Sequence, residues 1–64
     1  MFVIRKIENK YHVGAYHPFS NGTYIEYDWD PVGETAEVSD AMRVVSFLNG
    51  GAPITDWPAG FTFF

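Results

Sequence analysis

Thr23-Tyr24-Ile25-Glu26-Tyr27-Asp28-Trp29-Asp30-Pro31-Val32-Gly33 decides how this chain is read. Thr23, Ile25, Tyr27 and Trp29 alternate with Tyr24, Glu26, Asp28 and Asp30, the period of two that marks a half-buried strand. The alternation predicts an apolar face turned to the core and an acidic face turned to water. Pro31 and Gly33 end the segment. The period then becomes helical: Val38, Ala41, Val45 and Leu48 form a stripe, widened by Met42 and Val44, with Asp40, Arg43 and Ser46 opposite. Thr35 or Ser39 is the expected N-cap, with Glu37 and Asp40 near the positive end of the helix. Asn49-Gly50-Gly51 is a stop, with Gly50 left-handed and Pro53 barring continuation.

Working back toward the N-terminus, Phe2 to Ile7 and Tyr11 to Tyr16 are rich in β-branched and aromatic residues, and Asn9-Lys10 between them predicts a tight hairpin. A two-residue loop puts Ile4 opposite Ala15, and a three-residue loop puts Val3 there; both registers stay open, and with them the core face of the first strand. His17-Pro18-Phe19-Ser20-Asn21-Gly22 reads as a break with an Asn-Gly turn, which would set His17 across from Glu26. The expected fold is α+β: a three-stranded antiparallel meander packed on one helix. The single domain, 1–64, divides into the meander (1–31), a helical segment (35–50, the helix itself over 36–49) and an aromatic tail (51–64). Trp57, Phe61, Phe63 and Phe64 are too apolar to float free, so the tail should pack on the domain or add an edge strand.

Sixty-four residues make one small domain, marginal in stability because such a chain buries only ~60% of its surface. There is no cysteine, and no Cys/His pattern suggests structural zinc. Twelve aromatic residues must supply the packing, and they carry more surface than one small sheet–helix interface hides, leaving some for a partner, a dimer mate or a covered tail. Met1-Phe2-Val3-Ile4 ahead of Arg5-Lys6 does not read as a signal peptide, and no segment approaches the ~20 apolar residues of a membrane span, so a cytoplasmic protein without membrane contact is expected.

The net charge of −4 is unevenly placed. Residues 1–22 hold Arg5, Lys6 and Lys10 against Glu8, whereas residues 23–42 hold Glu26, Asp28, Asp30, Glu34, Glu37 and Asp40 with no basic residue. Such a middle repels phosphate backbones, which argues against direct nucleic-acid binding. The same acids also serve as a solvated strand face and a negative first helical turn.

Other motifs carry less. Asp28-Trp29-Asp30-Pro31-Val32-Gly33 begins like a calcium loop, but Val32 and Ser39 stand where oxygen ligands belong, so no metal site is assigned. His12 and His17, five apart on one strand, point to opposite faces and cannot clamp an ion together. Ser20, Ser39 and Ser46 sit in no nucleophile elbow and beside no evident base; no catalytic residue and no cofactor are assigned, and the chain is not read as an enzyme. Asn21-Gly22-Thr23 formally matches a glycosylation acceptor but reads better as a turn. Thr62-Phe63-Phe64 formally matches a peptide end captured by strand addition.

Val13-Gly14-Ala15-Tyr16-His17-Pro18 and Ala41-Met42-Arg43-Val44-Val45-Ser46-Phe47-Leu48-Asn49-Gly50-Gly51 resemble a set of short uncharacterised phage and prophage proteins, with a Tyr-x-Pro turn and a helix ending Arg-Val-x-x-Leu-Asn-Gly-Gly. The resemblance covers roughly residues 3–51 and implies a context rather than an activity: small mobile-element proteins that bind a host protein. The expectation is therefore a small protein-binding module that inhibits or redirects a host factor, itself basic or nucleic-acid-binding. Tyr24, Glu26, Asp28, Asp30 and Glu34 form the candidate surface, with Trp57, Phe61, Phe63 and Phe64 as a second. A structural homo-oligomer and a divalent-metal (calcium) binder are the alternatives, and a homodimer is left open.

Overall fold

Two tight turns set the sheet of this protein, whose computed structural model describes residues 1–64. The elements are β1 (Phe2–Ile7), β2 (Lys10–Asn21), β3 (Tyr24–Thr35), α1 (Val38–Leu48) and β4 (Thr62–Phe63). The strands form one antiparallel sheet in the order β1-β2-β3-β4, so the fold is α+β, and the tail does add a short edge strand. No helix is long and apolar enough to cross a membrane.

The first turn is centred on Glu8-Asn9, which gives neither of the two expected registers: Phe2 lies opposite Ala15, and Ile4 opposite Val13. Val13 is fully buried. The expected two-residue loop would have set Lys6 across from it, and the three-residue loop Arg5. Both registers would have brought a charge to the driest point of the sheet, where an unpaired one is costly. The register found requires Glu8 to adopt φ 57°, which costs about 1–2 kcal/mol for a residue with a Cβ.

The second turn is centred on Gly22-Thr23, not Asn21-Gly22, with Gly22 at φ 69° as the first central position of such turns demands. That one-residue shift sets His17 opposite Asp28 and gives Glu26 to Phe19. Nor does β2 break at His17-Pro18, or β3 at Pro31. Counting the alternation of bonded and non-bonded pairs from Asn21–Tyr24, the nitrogens of both prolines point outward from the hairpin, so no ladder bond is lost. Between Val13 and Gly14 the register shifts by one, leaving Val32 as the extra residue of a bulge.

The helix begins after Glu37, which has extended backbone and no side-chain cap. Neither Thr35 nor Ser39 is the N-cap: the Thr35 hydroxyl accepts the Glu37 N–H (3.2 Å) one step too early, and Ser39 is already helical. At the other end Gly50 is left-handed (φ 91°) as expected, its N–H donating to Phe47 O and that of Gly51 to Ser46 O, the paired bonds of a Schellman stop. Asn49 ties the helix end to β1: its Oδ1 accepts the Phe2 N–H (2.7 Å), and its Nδ2 donates to the Phe2 carbonyl (2.9 Å).

Val13, Ala41, Val44 and Phe61 form the core, with Ile4, Tyr11, Val45, Leu48 and Ile54 packed around them. Val38 and Met42, expected on the buried stripe, are exposed. The face that meets the sheet is centred on Ala41, Val44 and Leu48, and at 100° per residue Val38 and Met42 fall on its flank. Phe61 completes the core from the tail, which explains how so small a sheet and one short helix close over Val13.

The two faces of β3 are the reverse of those its alternation predicts. Val13 and Ile4 meet the helix, so by alternation Ala15, His17, Phe19 and Asn21 share the helix side of β2, and their partners Asp30, Asp28, Glu26 and Tyr24 share it on β3. The acidic face is therefore on the helix side. Ile25 and Tyr27, expected to face the core, lie on the opposite side and are each 64% exposed. Alternation was legible, but the helix reaches only the base of the hairpin and sits on the other face.

Candidate functional site

The outer half of the β2–β3 hairpin, Tyr16–Asn21 with Tyr24–Trp29, extends past the last pair of β1 (Phe2 with Ala15) and past β4, which pairs only with Gly33 and Glu34. It is a two-stranded arm with both edges and both faces in water, and it stretches the molecule to 45 × 27 × 16 Å. Isolated two-stranded ribbons are marginally stable, so an arm this long depends on its own cross-strand contacts.

On the helix-side face lie Tyr24, Glu26, Asp28 and Asp30, four of the five residues expected to form one surface. Cross-strand partners hold two of them: His17 Nε2 lies 3.1 Å from Asp30 Oδ2, and Asn21 Nδ2 donates to Glu26 Oε2 (2.9 Å). Phe19, exposed between them, is an aromatic member of this surface that the sequence reading missed, because a break at Pro18 had removed it from the strand. Glu34 is not part of the group. The bulge at Val32 turns it to the other face, where it meets His12 (3.2 Å) and Lys10 (3.8 Å). His12 and His17 do lie on opposite faces, each against its own carboxylate. No three His, Asp or Glu side chains converge as metal ligands would.

The other face of the arm is apolar. Tyr16 and Trp29 pack at 5.0 Å between ring centroids, and the Arg5 guanidinium lies over both, 5.8 Å and 5.0 Å away. Gly14 makes this possible: a Cβ there would come within 2.8 Å of the Trp29 ring and 2.5 Å of the Asp30 carbonyl. Tyr27, Ile25, Pro18 and Ser20 continue the face to the tip.

The second candidate surface is divided. Phe61 is core, while Trp57 and Phe63 join it and Phe47 in a half-covered aromatic cluster, with Trp57 5.5 Å from Phe47 and 5.3 Å from Phe63. Phe64 lies on the far face against His12, 5.4 Å away. A shallow cleft of about 300 Å³ lies between α1 and the tail, lined by Met42, Arg43, Ser46, Ala52, Pro53 and Ile54. Arg43 spans one end, donating to the Asp56 carbonyl (3.1 Å). Against protein-family models, curated proteins and solved structures, the chain matches none.

Proposed function

We propose that this protein is a small protein-binding module whose recognition element is the hairpin arm, and that its acidic-aromatic face docks on a basic surface of the partner. One observation carries the reading: Glu26 and Asp28 project from one face of a free-standing ribbon, Asp30 follows on the same face at its root, Tyr24 and Phe19 are exposed among them, and no basic residue but His17 lies on that face. Charges at every second position stand about 6.8 Å apart along a strand, a spacing that steers and orients a basic partner. The aromatics supply the area that charge alone does not. A basic face that otherwise binds nucleic acid is the natural complement, and inhibiting or redirecting such a host protein, in a phage or prophage setting, is the role we propose for it.

The test uses a partner captured from the producing cell and then purified. Its association with the wild-type chain should slow steeply as salt rises, because screening cuts the reach of charge to ~8 Å at physiological ionic strength. Reversing Glu26 and Asp28 to Lys should weaken binding while leaving the melting temperature nearly unchanged. Equal binding by the reversed variant, with no salt dependence, would reduce the acidic face to a solvated surface.

A further inference from the structure

The apolar face of the arm, on the side away from the acids, points to a second copy of this chain as its occupant: we propose that two arms stack face to face about a two-fold axis running along the strands. Three observations lead there. First, the two faces are segregated. The outer face carries Tyr16, Pro18, Ser20, Ile25, Tyr27 and Trp29, with the Arg5 guanidinium over Tyr16 and Trp29 as its one charge at the base, while Glu26, Asp28 and Asp30 point the other way. Stacking two such faces brings no carboxylates together, and it leaves the acids outermost, with the two sheets about 10 Å apart between them.

Second, the face is stepped. Across the ladder, Ile25 stands opposite Ser20, and Tyr27 opposite Pro18, so β3 forms a ridge beside a low β2. Trp29 at the base lies down over Gly14 and continues the step only weakly. A two-fold along the strands exchanges left for right without changing height, so the ridge of one copy enters the groove of the other. Ile25 then covers the partner's Ser20, and Tyr27 stacks on the partner's Pro18. A two-fold across the strands would set ridge on ridge. Both tips must therefore point the same way.

Third, the edges are poor alternatives. The outward nitrogens of β2 and β3 include Pro18 and Pro31, which offer no donor, and pairing β3 antiparallel with itself about Tyr27 would oppose Glu26 of each copy to Asp28 of the other. The area is modest. Tyr16 is 45% exposed, and with Ile25 and Tyr27 it offers about 300 Å² per copy, to which Pro18 and Trp29 add. Two copies together come near the ~1,000 Å² at which specific interfaces begin, which places the dimer among weak, concentration-dependent associations.

Sedimentation equilibrium from micromolar to millimolar chain tests this. The mass should climb from 7.3 kDa toward twice that value. Tyr27→Lys, and Ile25→Lys separately, should raise the dissociation constant roughly tenfold or more, whereas Asp28→Lys on the other face should not. The chain has no cysteine, so Ser20→Cys and Ile25→Cys variants can be mixed and joined with a short bis-maleimide. Joining of one variant to the other, in excess of either variant joined to itself, supports the two-fold along the strands. A chain that stays monomeric at millimolar concentration, a dimer indifferent to Tyr27→Lys and Ile25→Lys, or a dominant product in which the Ile25→Cys variant is joined to itself would each overturn the proposal. Loss of partner binding on reversing Glu26 and Asp28 is a separate outcome, since those residues lie on the other face.

Discussion

Between Tyr11 and Ala15, strand β2 has β1 on one side, β3 on the other and α1 above it; from Tyr16 to Asn21 the same strand keeps only β3. The base holds Val13, Ala15 and Thr35, all buried, and the arm holds larger apolar side chains, Phe19, Ile25 and Tyr27 among them, that are exposed. Side-chain chemistry does not separate the two regions. Cover does. Ile4 packs against the core because a helix and Phe61 lie over its face, whereas Ile25, the same residue type in a regular strand, meets water. For a chain this short, one eleven-residue helix and a tail can roof only part of a hairpin of two twelve-residue strands. What is left uncovered meets water on both faces.

Removing the roof should have the largest effect of all. Phe61→Ala should cost about 3–5 kcal/mol, comparable to the whole stability of a domain of this size, and should unfold the chain in a denaturant titration. Deleting residues 55–64 should do the same, since it takes Trp57 and β4 as well. A deletion that melts where the intact chain does would mean that the base stands without its tail and that Phe61 is not core.

A matched pair of substitutions comes next. Ile4→Ala should lower stability by about 2–3 kcal/mol, and Ile25→Ala, measured in dilute monomer, by no more than about 0.5 kcal/mol. Equal losses would show that the arm is covered in solution even at low concentration. Amide exchange draws the same line by another route. In dilute solution the ladder amides of Phe19 and Glu26 should exchange through local opening, orders of magnitude faster than those of Val13 and Val44, which open only with the whole fold. The smallest effect is at the first turn. Glu8→Gly relieves a positive φ and should raise the melting temperature slightly, by the equivalent of about 0.5–1 kcal/mol, without touching the arm.

Of the candidate surface, the alternation of Tyr24, Glu26, Asp28 and Asp30 was legible, because side chains on a strand repeat every two residues whatever surrounds them. Phe19 was hidden by Pro18, whose missing N–H rules out a central strand but not an edge whose nitrogen faces water. Glu34 was assigned to the wrong side because a bulge adds one residue and inverts every side chain beyond it. Trp57, Phe61, Phe63 and Phe64 could be recognised as too apolar to leave free. Nothing in their spacing said that Phe61 alone would enter the core while Phe64 crossed to the other face.

Features that act within a few residues are legible along the chain: the strand period up to Pro31, the helical period after it, the left-handed stop at Gly50, and the uneven charge. Each follows from local sterics or from short-range repetition of side chains. The tertiary structure decided the rest: which of two offset turns closes each hairpin, which face of the sheet the helix covers, and how far along β2 and β3 that cover extends. Those choices turn on one residue of register and on whether Arg5, Lys6 or Ile4 stands over Val13. Such differences are settled by burial across the whole fold, where moving a strand by one position exchanges its wet and dry faces.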